Sequence, residues 1–282
     1  MRTLADKEER LRAWLRDARR VVVAFSGGID SALLLAVAHE ELGEAALGVL
    51  VEGPSLPAHD RRDAEHLAAR IGARLEIAAA RELSDERYLS NGPDRCYWCR
   101  AALGETLRPI AQRERARMAY GAVVDDLGDD RPGMKAAEEA GIAAPLLEAG
   151  MTKADVRALA RRLGLPVWDK PASACLSSRI PTGIRITPER LARVDRAESA
   201  LRALGFGLVR VRDHGELARI ECDAEGFRLL VRPDLRERAV AAVRAAGFAR
   251  VSVDLEGYRP AGLAARRLPA AGAEPGSGPN RG

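Results

Sequence analysis

Lysine is scarce in this chain of 282 residues and stands only at positions 7, 135, 153 and 170. Arginine carries the rest of a net charge of only +4. No run of like charge marks an arm for nucleic acid, so no nucleic-acid partner is expected. No stretch approaches the ~18 apolar residues of a membrane span, and the first nine residues lack the apolar core of a secretory leader. A cytoplasmic protein without membrane contact is the expectation. Cysteine is limited to positions 96, 99, 175 and 222, a set that argues for metal or sulfur chemistry over disulfides. The length suffices for a full core and about one to two domains.

What is there is organised around one stretch. Val21-Val22-Val23-Ala24-Phe25 reads as a buried strand, Ser26-Gly27-Gly28-Ile29-Asp30-Ser31 as a turn, and the apolar run after it as a helix. Two glycines turn the backbone tightly and let a ligand approach the amides, which join the positive end of the helix in an anion site. No lysine follows the glycines, so this is not the GxxxxGK[ST] loop, and no catalytic lysine is expected at the phosphates. Asp30 suits Mg²⁺, while Ser26 and Ser31 suit hydrogen bonds to oxygen atoms. The stretch resembles the pyrophosphate loop of the N-type ATP pyrophosphatases, which cleave ATP to AMP and pyrophosphate.

Along the chain, helices are expected over 4–18, 58–71 and 96–115, and strands over 46–51, 73–78 and 118–124. Alternation of this kind implies an α/β fold, a doubly wound parallel sheet whose ligands sit at the carboxyl ends of the strands. The loop at 26–31, the loop at 52–57 and the pair Asp125-Asp126 all fall at that end, which favours Mg²⁺ or ribose contacts for the two aspartates. Thr152 and Asp155 resemble a capping box. Beyond Pro181-Thr182-Gly183 the pattern changes to helix 187–204, strands 208–212 and 217–222, helix 234–246 and strand 250–255, a small α+β unit. The expected division is a nucleotide domain over 1–183, a small substrate or oligomerisation domain over 184–260, and a disordered tail over 261–282.

Cys96 and Cys99 form a Cys-Tyr-Trp-Cys pair at the start of a helix, where the dipole favours thiolates. With the distant Cys175 they are one ligand short of a closed zinc site but fit a 4Fe–4S cluster with one iron open. Cys222 shares a strand face with Ala218 and Ile220 and reads as a core thiol. Arg210 and Arg212 share the opposite face of their strand from the valines, and Arg219 and Glu221 can join them from the next strand. With Arg179 from the cysteine loop, these arginines suit a phosphorylated or carboxylated substrate. Glu198 interrupts the apolar face of its helix and needs a partner, an arginine or a metal.

Together the motifs resemble one family, the ATP-dependent sulfur transferases of nickel-pincer nucleotide biosynthesis (the LarE family). The resemblance covers about residues 3–260. It rests on the 26–31 hexapeptide, Pro93-Asp94-Arg95-Cys96-Tyr97-Trp98-Cys99, Asp125-Asp126-Leu127-Gly128-Asp129, Arg131-Pro132-Gly133, Glu148-Ala149-Gly150-Met151-Thr152-Lys153 and Trp168-Asp169-Lys170-Pro171-Ala172-Ser173-Ala174-Cys175-Leu176-Ser177-Ser178-Arg179-Ile180-Pro181. It implies that ATP adenylylates a carboxylate of a pyridinium-3,5-dicarboxylate mononucleotide and that sulfur delivered at Cys175 displaces AMP. Catalysis would then fall to Cys175 and Asp30. ATP would be held by Ser26, Gly27, Gly28, Asp30, Ser31, Asp125 and Asp126, with Mg²⁺. The substrate would be held by Arg179, Arg210, Arg212, Glu198 and Glu221. In one kind of member a lone cysteine gives up its own sulfur. In the other, three cysteines hold a 4Fe–4S cluster, and Cys96, Cys99 and Cys175 match the second kind. The expected partners are the nucleotide substrate, sulfide or another sulfur source, and further copies of the chain in a homo-oligomer. Where the family usually has Gly-Thr-Asn-Ala, this chain has Gly121-Ala122-Val123-Val124. Rival readings are a tRNA-thiolating enzyme, which should carry a basic RNA-binding stripe, an amide-forming ligase of the NAD synthetase type, which needs no cysteine set, and a nucleotide-sensing binding protein.

Overall fold

A computed structural model describes residues 2–128, 132–171 and 174–258; the tail expected over 261–282 and parts of two motifs lie outside the described residues. Helix α1 (Leu4–Ala18) opens on a capping box in which the Thr3 hydroxyl accepts from the Asp6 amide and Asp6 accepts from the Thr3 amide. There follow β1 (Val21–Ala24), α2 (Ile29–Leu42), β2 (Ala46–Glu52), α3 (Ala58–Ile71), β3 (Arg74–Ala79), α4 (Glu86–Leu89), α5 (Arg95–Glu114) and β4 (Arg117–Ala119). Then come α6 (Pro132–Glu139), β5 (Ile142–Ala143), α7 (Pro145–Glu148) and α8 (Lys153–Arg162). The five strands are all parallel in the order β3-β2-β1-β4-β5, with Val21 facing both Ala46 and Arg117.

The period of two along β1 builds two cores. Val21 and Val23 pack with Leu11 of α1, Leu33 of α2 and Leu159 of α8, while Val22 packs with Leu107 and Ile110 of α5 on the other face. The doubly wound α/β sheet expected from the sequence is thus present. Two expectations are corrected. The fourth strand ends at Ala119 rather than 124, because the chain leaves the sheet at Gly121. The two-residue β5 is too short to leave a periodic signal.

The second unit consists of α9 (Pro188–Ala203), β6 (Val209–His214), β7 (Leu217–Cys222), α10 (Ala224–Val231), α11 (Pro233–Ala245) and β8 (Arg250–Val253). β6 pairs antiparallel with β7, and β8 adds in parallel. Helix α10 interrupts the expected α-β-β-α-β order; Asp223 starts it by accepting from the Gly226 amide at 2.8 Å. The core of this unit also takes in Tyr88, Leu176, Ile180 and Ile186, so the cysteine loop is rooted in it. Among the described residues no helix is long and apolar enough to cross a membrane.

Candidate active site

The turn between β1 and α2 lies where the strand order reverses, because β2 and β4 leave β1 on opposite sides. Gly27 has φ +71°, and a Cβ there would stand 2.8 Å from the Ala64 Cβ of α3. Only glycine lets the loop lie this close to α3. The Ser31 hydroxyl accepts from the Ser26 amide at 3.2 Å and donates to the Gly28 carbonyl at 3.0 Å, closing the loop on itself. Gly28 caps α2 without a side-chain hydrogen bond, which leaves amides of the first turn for an anion. On the far side, a Cβ on Gly121 would sit 2.8 Å from the Ser31 nitrogen, so the exit of β4 crosses directly over the start of α2.

Asp30 projects from the first turn of α2, and one of its oxygens, Oδ2, accepts from the Lys153 ammonium. The other, Oδ1, is buried and has no hydrogen-bond partner. An unpartnered carboxylate oxygen beside open amides fits Mg²⁺, which takes one or two carboxylates and completes its shell from phosphate and water. Lys153 is the residue that the sequence reading missed. It stands at the start of α8, where Thr152 and Asp155 form the expected capping box and Asp125 Oδ2 accepts from the Lys153 amide at 2.8 Å. No lysine was expected beside this loop, and the structure brings one to Asp30 from another element. Asp126 turns inward and accepts from the Val123 amide at 3.1 Å. Ala122 and Val123, which replace the family's polar pair, are buried in the core.

Cys96 and Cys175 are exposed and Cys99 is half-buried. Burial pushes the Cys99 thiol up to about 12, with Cys175 and Glu82 adding to the effect. Desolvation is the largest cause, and it acts against the thiolate expected at this helix start. The cysteine loop docks against the carboxyl end of the sheet, just beyond β2: the Leu176 amide donates to the Ser55 carbonyl at 2.8 Å, and the Ser55 hydroxyl donates to the buried Glu82 at 2.6 Å. Among the described residues no three His, Cys, Asp or Glu side chains gather tightly enough for a single metal ion.

The arginines divide. Arg179 is 1% exposed and spends its donors internally: Nε and Nη2 donate to Glu198 at 2.9 and 3.1 Å, and Nη1 to the carbonyls of Ala174 and Cys175. Burial would raise the Glu198 carboxyl, but Arg179 holds it below the usual range. Glu198 also accepts from Arg202 and from the Val211 amide. Arg212 donates through Nε and Nη2 to the two oxygens of Glu221, each at 2.9 Å, and through Nη1 to the Ser178 carbonyl. Arg210 differs. It is 7% exposed, its side chain donates to the Val209 carbonyl, and no carboxylate pairs with it among the described residues. Burial and the nearby Arg179 push its pKa down, and the Tyr258 ring lies 5.4 Å away. Replacing Arg179 by Ala should cost about 3–5 kcal/mol of stability, since it strands a buried carboxylate. Urea unfolding checks this, and a loss under about 1 kcal/mol would contradict the buried pair.

A five-stranded parallel sheet with a Ser-Gly-Gly-x-Asp-Ser turn at its switch point defines a pyrophosphate-loop protein of the N-type ATP pyrophosphatase class. The NAD synthase family model matches residues 7–91. Over 262 residues the chain is 41% identical to the pyridinium-3,5-bisthiocarboxylic acid mononucleotide synthase of Lactiplantibacillus plantarum, covering 92% of this chain and 94% of that protein. An uncharacterised protein of Synechocystis is 41% identical over 261 residues, covering 91% of this chain and 96% of its own. A third relative, from Methanocaldococcus jannaschii, is 29% identical over 246 residues, covering 86% and 91%. The chain belongs to the LarE family of synthases.

Proposed function

We propose that the protein is an ATP-dependent sulfur transferase of nickel-pincer biosynthesis. It adenylylates a carboxylate of pyridinium-3,5-biscarboxylic acid mononucleotide and converts it to a thiocarboxylate. The observation that carries this is the docking of the Cys175 loop, through the Leu176–Ser55 hydrogen bond, on the same end of the sheet as the Ser26-to-Ser31 loop. The loop amides and Lys153 bind the β- and γ-phosphates of ATP. The substrate carboxylate attacks the α-phosphorus and expels pyrophosphate. The sulfide-level sulfur presented at Cys175 adds to the acyl carbon and separates from its carrier, the acyl C–O bond breaks, and AMP leaves with that oxygen. Mg²⁺, held by Asp30, would neutralise the departing pyrophosphate. A 4Fe–4S cluster on Cys96, Cys99 and Cys175 would supply an open iron for sulfide.

Arg210 is the substrate's anion ligand in this reading, as the buried cation with no carboxylate ion pair among the described residues, while Arg212 and Glu221 form the wall beside it. Arg179 and Glu198 anchor the Cys175 loop on the small unit. Arg210→Ala should raise KM for the nucleotide on the order of 10²-fold, since it removes one partner of a desolvated charge pair. If KM is unchanged in both Arg210→Ala and Arg212→Ala, the small unit does not bind the substrate. The reading as a whole is tested by mass spectrometry of products from ATP, sulfide and the pyridinium nucleotide. AMP, pyrophosphate and a product with oxygen replaced by sulfur are expected. ADP and phosphate as turnover products would end it.

A further inference from the structure

Cys96 and Cys175 come from distant parts of the chain, and one short segment joins their surroundings. Asn91 is fully buried and adopts φ +55°, a left-handed conformation that an asparagine tolerates at some cost. Its amide nitrogen lies 3.3, 2.8 and 2.9 Å from the carbonyls of Ile180, Pro181 and Ile184. Its own carbonyl accepts from the Gly183 amide at 2.9 Å, and the neighbouring Leu89 carbonyl accepts from the Ile186 amide at 2.9 Å. The chain beyond Cys175 is therefore wrapped on the segment that leads into α5. Arg95, the first residue of α5, completes the joint. Its Nη1 donates to Asn91 Oδ1 at 2.8 Å and to the Ser177 carbonyl at 3.1 Å, and its Nη2 lies 4.0 Å from Cys96 Sγ. The Ser177 hydroxyl is held in turn by Tyr88 Oη at 2.5 Å.

One guanidinium thus touches the first cysteine of the pair and the loop of the third. All of these bonds join protein atoms of the two segments. We propose that Asn91 and Arg95 are positioning residues that hold Cys96 and Cys175 within reach of one another before metal, sulfide or ATP arrives. The sulfur site is then preformed, and binding spends little on ordering the loop. This deepens the reading of Cys175 as the point of sulfur delivery and rests on it for its purpose, though not for its geometry.

The test uses the full chain, freed of iron by a chelator and kept without oxygen. A short bifunctional thiol reagent is added, and peptide mapping measures the crosslink joining the Cys96–Cys99 peptide to the Cys175 peptide. The unaltered chain should crosslink readily. Arg95→Ala and Asn91→Ala should lower the crosslinking rate about tenfold or more, because each removes hydrogen bonds between the two segments. Arg95→Lys, which keeps a donor for the Ser177 carbonyl, should recover most of it. Buried Cys222 should stay unlabelled throughout; if Arg95→Ala exposes it, Arg95→Gln decides in its place. Crosslinking of the alanine or glutamine variant at the unaltered rate overturns the proposal, and so does an unaltered chain that does not crosslink. Because neither ATP nor iron enters the measurement, a preformed pair in a protein that fails to transfer sulfur would reject the function and leave the placement standing.

Discussion

Asp30→Asn should reduce pyrophosphate release by about 10³-fold or more, a barrier increase of about 4 kcal/mol, within what a phosphate-bound cation supplies. The substitution keeps the size of the side chain and removes the charge that fits Mg²⁺. Stability should change little, since the Asp30–Lys153 pair is partly open to solvent and such pairs contribute about 0–1 kcal/mol. Lys153→Met separates the two partners. It should weaken ATP binding while leaving the dependence on Mg²⁺ concentration nearly as in the unaltered chain, whereas Asp30→Asn should alter that dependence. Release of pyrophosphate by Asp30→Asn at the unaltered rate would remove Asp30 from the chemistry. Equal Mg²⁺ dependence in both variants would mean that the lysine, and not a cation, is the partner Asp30 exists for.

The part of the site carried by consecutive residues was legible. A β-branched run, a Ser-Gly-Gly-x-Asp-Ser turn and an apolar helix specify the strand, the loop and the start of α2 without any distant contact. Lys153 was not legible in that way. It reaches Asp30 across 123 residues, and its place depends on how α8 packs on α2, which no local pattern encodes. Its scarcity was the signal available: a chain with four lysines that keeps one directly after a capping threonine invites a question about it. Glu198 was half legible. A carboxylate on an apolar helix face announces a buried partner, but the identity and full burial of Arg179 come from the fold. The alternation in β6 separated Val209 and Val211 from Arg210 and Arg212 correctly. It could not tell that Glu221 pairs with Arg212: the register sets Glu221 opposite Arg210 and Arg219 opposite Arg212, and the ion pair runs diagonally across the two strands. Ala122 and Val123 stand where the family usually has a polar pair. Their burial places those side chains in the core, and it is glycine at 121 that the loop requires.

Protein purified without oxygen should be brown and should turn over repeatedly when sulfide is supplied. Replacing Cys96, Cys99 or Cys175 by Ala should each abolish both iron binding and sulfur transfer, because three thiolates are the least that hold a cluster with one iron open. Loss of any one leaves two, and Cys99, whose thiol is hard to ionise when unligated, then has no strong cation to hold its charge. Cys222→Ala is the control. Its sulfur lies in the core of the small unit, where burial pushes the thiol up to about 11, and a Cβ on Gly226 would meet it at 2.9 Å. It should lose neither iron nor activity. The opposite result is a colourless, active protein in which Cys175 loses about 34 Da in a single turnover, the mass of H₂S removed from a thiol that becomes dehydroalanine. Cys96→Ala would then stay active, Cys175 would be the sulfur donor itself, and the pair at the start of α5 would be left with structure alone. Iron content and the mass of the Cys175 peptide before and after one turnover separate the two chemistries.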